Sequence, residues 1–146
     1  MQNLTIRREA MPPNQPMHTD NPQSILIADD NDFILRLLSR GFNKYGYKVF
    51  EANNGIDAWN LFSKEHVDFV LTDICMPGLE GNELSYLIRN QSPSTIIAVM
   101  TGSEFDTASD LLKDGTANYF FPKPFNFVDV HKSFMAEVPL ERVGPR

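Results

Sequence analysis

Short apolar runs and amphipathic stretches alternate along this chain from Ser24 onward. Ile25-Leu26-Ile27-Ala28 is a four-residue apolar run that stops on Asp29 and Asp30, which marks a buried strand and its end. Phe33, Ile34, Leu37, Leu38 and Phe42 then recur at helical spacing, with Asn31 or Asp30 as the cap and Gly46 as the stop. Tyr47-Lys48-Val49-Phe50 reads as a second strand, Asn53-Asn54-Gly55 as a turn, and Ile56, Trp59 and Phe62 as the inner face of a second helix. Val67, Phe69, Val70 and Leu71 form the third strand, which ends on Asp73 before Pro77 and Gly78 break the chain. A third helix spans Glu83 to Asn90 with Leu84, Leu87 and Ile88 on one face. The strand Thr95–Met100 follows and ends on Thr101-Gly102, and residues 104–113 form a helix carrying Phe105, Ala108, Leu111 and Leu112. The last pair is the strand Ala117–Phe121, followed by Pro122-Lys123-Pro124, and a helix from about Asn126 that ends before Pro139.

Five strand–helix units with short connections predict an α/β fold: an open, doubly wound parallel sheet with helices on both faces and right-handed crossovers. The common barrel needs eight units. Residues 1–23 lack this periodicity. Pro12, Pro13, Pro16 and Pro22 lie among Asn, Gln and Thr, so this stretch reads as a disordered, passive leader. The folded domain is expected over 24–138, with 139–146 a short tail.

Composition narrows the function classes. Acidic residues outnumber basic ones, 19 to 13, which argues against a nucleic-acid surface. Cys75 is the single cysteine and has no partner for an internal disulfide. There is no apolar run of membrane length and no secretory signal, so a cytoplasmic location is expected.

The strand ends carry the chemistry. In a parallel sheet they fall along one edge, where ligands of open α/β folds bind. Asp29, Asp30, Asp73, Thr101 and Lys123 should therefore converge. Three crowded carboxylates repel unless a cation joins them, and Mg²⁺ suits such an oxygen donor set. A carboxylate in that setting can attack a phosphoryl group, with Lys123 and Thr101 neutralising and positioning its oxygens.

Four segments then resemble the receiver domain of two-component response regulators. These are Ile25–Asp30, Thr72–Leu84, Met100–Gly102 and Pro122–Phe125, which together cover about residues 24–137. The resemblance implies a flavodoxin-like sheet of order 2-1-3-4-5. It implies Asp73 as phosphoacceptor, with Asp29, Asp30, Asp73 and the backbone carbonyl of Cys75 as Mg²⁺ ligands. Thr101 would be the switch hydroxyl and Lys123 the phosphoryl-binding cation. The donor would be a phosphohistidine on a sensor histidine kinase or a histidine phosphotransfer protein. A downstream protein would read the face made by the fourth helix, fifth strand and fifth helix. The lysine would follow the family's cis pattern at Lys123–Pro124. The switch aromatic falls on Phe120 by spacing, with Tyr119 the alternative. Strand alternation sends the two to opposite faces.

Other readings stand beside this one. No output domain follows in the chain, which suggests a stand-alone receiver that is not an enzyme in its own right. A degenerate receiver would act only as a docking module. A Mg²⁺-dependent phosphatase with an aspartyl nucleophile would carry a second acid two residues later, where this chain has Cys75. His18, His66 and His131 read as surface residues, and Trp59 and the helix aromatics as core.

Overall fold

The computed structural model describes residues 22–139. The expected leader and tail lie largely outside the described residues. Five parallel strands alternate with five helices. They are β1 (Ser24–Ala28), α1 (Asp32–Lys44), β2 (Lys48–Ala52), α2 (Gly55–Lys64), β3 (Phe69–Asp73), α3 (Gly81–Gln91), β4 (Ile96–Thr101), α4 (Phe105–Lys113), β5 (Tyr119–Pro122) and α5 (Phe127–Glu137). The sheet order is β2-β1-β3-β4-β5. All four pairings are parallel, so the reversal of strand order falls between β1 and β3.

Strand alternation divides the core in two. Leu26, Ala28, Val70, Ile97 and Val99 face a layer closed by Ala58 and Phe62 of α2, Leu84 and Ile88 of α3, and Ala108 and Leu111 of α4. Ile25, Ile27, Phe69, Leu71, Ala98 and Met100 face the opposite layer, closed by Leu35, Leu38 and Phe42 of α1 and Val130 and Phe134 of α5. Phe69 and Phe134 stack there at 4.4 Å between ring centroids. The starts of α1, α2 and α5 are set by asparagine side-chain caps. Asn31 Oδ1 accepts from the backbone N–H of Phe33 and Ile34, Asn54 Oδ1 from Asp57, and Asn126 Oδ1 from Val128. Gly46, at φ +90°, takes the left-handed geometry that stops α1.

Helix azimuths differ from expectation in several places. Phe33 is 72% exposed and Leu37 57%, because Leu35, Leu38 and Phe42 form the buried stripe of α1. Ile56, Leu87, Phe105 and Leu112 are likewise exposed, and Trp59 is half-buried. His66 is at the surface as expected, but His131 is 2% exposed. Its ring lies against Tyr45 at 4.1 Å, and its Nδ1 is 2.8 Å from the Tyr47 hydroxyl, between α1 and α5. His18 lies outside the described residues.

Candidate functional site

The carboxyl edge of the sheet gathers the strand-end residues. Asp29 follows β1 and is fully buried; Asp73 ends β3 and is nearly so; Asp30 is exposed. One carboxylate oxygen from each lies within 4.8 Å of the others. Lys123 reaches in from the end of β5, and its Nζ donates to Asp29 Oδ2 at 2.9 Å and to Asp73 Oδ2 at 3.0 Å. Backbone donors complete the cradle. The Asn31 N–H donates to Asp29 Oδ1 at 2.9 Å, and the Cys75 N–H donates to Asp73 Oδ1 at 3.3 Å.

The local backbone explains this convergence. Asp73 pairs with Met100 in the ladder, and the Ile74 N–H donates to the Met100 carbonyl, which holds the tip of β3 against β4. The loop then returns so closely that the Gly81 N–H bonds the Ile74 carbonyl at 2.8 Å. A Cβ at Gly81 would lie 1.9 Å from the Asp73 carbonyl oxygen, so only glycine fits. The Lys123 N–H donates to the Thr101 carbonyl at 2.8 Å, and the Lys123–Pro124 bond is cis.

Electrostatics follow from burial. Desolvation pushes the Asp73 carboxyl above its usual range, aided by the charge of Asp29 and opposed by Lys123 and the Cys75 N–H. Desolvation is also the largest influence on Lys123, where it opposes the charged form. The hydrogen bonds and charges of Asp29 and Asp73 together outweigh it, and the ammonium pKa rises. Lys123 is therefore a firmly charged group clamped between two acids. Three carboxylates against one ammonium still leave negative charge, and an all-oxygen donor set of this kind fits a hard divalent cation.

Thr101 is buried at the same edge, but its hydroxyl faces its own loop, accepting from the N–H of Ser103 at 3.2 Å and Glu104 at 3.0 Å. Phe120 lies on the α4 side, its ring 5.8 Å from that of Phe105. Tyr119 points the opposite way, its hydroxyl donating to Glu137 and to the Ser133 carbonyl of α5. The Cys75 side chain is exposed. Sequence reasoning did not anticipate the Asn31 and Cys75 backbone donors. Backbone amides leave no mark in residue identity, although the turn residues around them do.

This fold and edge define an α/β receiver. Residues 25–134 match the family model described as a response regulator receiver domain, and the chain belongs to that family, whose members are signalling domains. It is similar to sporulation initiation phosphotransferase F of Bacillus subtilis, at 32% identity over 82% of this chain and 96% of that protein. It is also 37% identical to the regulatory protein AtoC of Escherichia coli over 73% of this chain, but spans only 23% of that longer relative. Among solved structures it resembles the response regulator TrrA of Thermotoga maritima in complex with Mg²⁺-BeF. The TM-score is 0.71 and the identity 30%, over 80% of this chain and 99% of that one. Among the described residues no helix is long and apolar enough to cross a membrane.

Proposed function

We propose that Asp73 accepts a phosphoryl group from a phosphohistidine on a sensor histidine kinase or histidine phosphotransfer protein, and that this chain switches partner binding as a result. The observation that carries the reading is the Lys123 ammonium held at 2.9 and 3.0 Å from Asp29 and Asp73 at the end of β3. In the transfer, an Asp73 carboxylate oxygen forms the new bond to phosphorus. The bond from phosphorus to the donor's imidazole nitrogen breaks, and its electron pair stays on the imidazole. Lys123 neutralises charge on the equatorial oxygens, and the Cys75 N–H lies beside the accepting carboxylate. Asp29, Asp30, Asp73 and the Cys75 carbonyl would hold Mg²⁺, which when bound neutralises further charge on the phosphoryl oxygens. Water attack on phosphorus later returns the carboxylate and inorganic phosphate, so the chain is a phosphoacceptor and not a turnover enzyme on other substrates.

Switching follows from Thr101. A phosphoryl on Asp73 offers its hydroxyl a stronger, charged acceptor. Turning towards it gives up the Ser103 and Glu104 N–H bonds that shape the loop before α4. Phe120 repacks beside Phe105, and the exposed Phe105 and Leu112 mark the α4–β5–α5 face as the surface a downstream protein reads. Tyr119 is tied to α5 and does not serve. The acidic balance of the chain disfavours nucleic acid, and the unpaired Cys75 suits a reducing, cytoplasmic setting.

The test is acetyl phosphate with Mg²⁺ and intact-mass measurement. One added phosphoryl that Asp73→Asn abolishes is expected. No label on the wild type would leave a docking module, and turnover of unrelated phosphoesters would indicate a phosphatase.

A further inference from the structure

The helices of this domain differ in how they begin. Asn31, Asn54 and Asn126 sit in extended geometry before α1, α2 and α5, and their side chains accept first-turn N–H groups. Glu80 precedes α3 in extended geometry too, and shares a capping box with Glu83, whose Oε1 accepts the Glu80 N–H at 3.1 Å. Glu104, before α4, has φ −91° and ψ 56°, and its side chain caps nothing. The start of α4 instead borrows an acceptor from β4. Thr101 Oγ1 takes the N–H of Glu104 at 3.0 Å and that of Ser103 at 3.2 Å. Little else holds this end of the helix. Phe105 and Asp106 are exposed and Thr107 is half-buried, so the first buried side chain of α4 is Ala108. Phe105 rests on Phe120, with 5.8 Å between the ring centroids.

A helix of nine residues has little stability of its own, and Asp106, Thr107, Ser109 and Asp110 are modest helix formers. Ala108 and Leu111 pin the later turns to the sheet, but nothing comparable pins the first. When the Thr101 hydroxyl turns to a phosphoryl on Asp73, the Ser103 and Glu104 N–H groups lose their acceptor. Glu104 cannot take its place, because it is not one of the short polar side chains that reach back to a first turn. An unwound first turn takes the carbonyls of Glu104, Phe105 and Asp106 out of the helix ladder. The Ala108 N–H, which bonds the Glu104 carbonyl at 3.0 Å, then loses its partner, and Ser109 and Asp110 lose theirs by the same spacing. Phe105 comes away from Phe120 in the same step.

We propose that the Thr101 hydroxyl serves as the N-cap of α4, and that phosphorylation of Asp73 removes this cap and unwinds the first turn, residues 105–107. The inference rests on the phosphoacceptor reading and adds how the site acts on the helix. The test is backbone amide hydrogen exchange on the full chain. In Thr101→Val, with no phosphodonor, exchange at Ala108, Ser109 and Asp110 should quicken roughly five-fold, as loss of a cap predicts. Thr101→Ser keeps the hydroxyl and should exchange like the wild type. Glu104→Asn gives α4 the cap that α1, α2 and α5 use, so the double variant Thr101→Val, Glu104→Asn should return to the wild-type rate. With acetyl phosphate and Mg²⁺, wild type carrying one added phosphoryl by intact mass should quicken at the same three amides, and labelled Glu104→Asn should not. Unchanged exchange in Thr101→Val, or in labelled wild type, overturns the proposal. So does a double variant that stays fast, or quickening of Thr101→Val that extends equally to β1 and β3, because the hydroxyl would then matter to packing and not to the helix start. No added phosphoryl on the wild type, read from the mass, overturns the phosphoacceptor reading and the unwinding with it, while Thr101→Val still decides the cap.

Discussion

Replacing His131 with phenylalanine should remove an acid-sensitive step in the stability of this domain. The ring is 2% exposed, and burial lowers its pKa from 6.5 to about 4. The groups facing it are the Tyr45 ring and the Tyr47 hydroxyl, whose own pKa values are raised by desolvation, so both stay neutral. Between those two pH values the unfolded chain binds a proton that the folded one resists. Stability is therefore intact above pH 6.5 and is lost as pH falls towards 4. With those two values the loss is about 2 kcal/mol at pH 5 and approaches about 3 kcal/mol below pH 4. The assay is urea unfolding at steps from pH 7.5 to 4.5 for wild type and His131→Phe. The variant pays a pH-independent cost of about 1–3 kcal/mol because Tyr47 loses its partner. Carboxylates titrate alike in both proteins and cancel. The expected result is a gap that narrows by about 2 kcal/mol on going from pH 7.5 to 5. Parallel curves would refute the claim that a buried neutral histidine sits between α1 and α5.

Further expectations concern the acidic edge. Asp73→Asn should raise stability at pH 7 without added metal. A carboxyl pKa raised by burial favours the fold only below its unfolded value of 3.8, and the charged form is a net cost above the folded one. A higher melting temperature is expected by thermal melting, with Lys123 still paired to Asp29; a lower melting point would contradict it. Lys123→Ala leaves Asp29 and Asp73 facing each other without a cation. Its melting temperature should fall, and Mg²⁺ should raise it more than it raises that of the wild type. Gly81→Ala forces a Cβ to within 1.9 Å of the Asp73 carbonyl oxygen and should cost about 3 kcal/mol, with amide shifts moving at Asp73 to Cys75; an unperturbed spectrum would count against the close approach.

What could be read from the residues, and what could not, divides along a physical line. A strand must stop where Asp29, Asp73 or Thr101 interrupts an apolar run, and parallel winding sends every such stop to one edge. Identity plus topology therefore places Asp29, Asp73, Thr101 and Lys123 together before any coordinate is known. Helix azimuth obeys no such rule. α1 carries apolar residues at 33, 34, 35, 37, 38 and 42, enough for two overlapping stripes, and the choice of Leu35 over Phe33 and Leu37 depends on how α5 packs beside it. There Gly41 admits the Phe127 ring so closely that a Cβ would lie 2.8 Å from it. That close approach sets α5 against α1, and with it turns His131 inward onto Tyr47, although a lone histidine between Val130 and Lys132 carries no local sign of burial. The direction of the Thr101 hydroxyl escapes sequence reading for a related reason. It is set by which backbone N–H groups the next loop presents, so the orientation of this hydroxyl lies in main-chain geometry even where the residue itself can be named from the sequence.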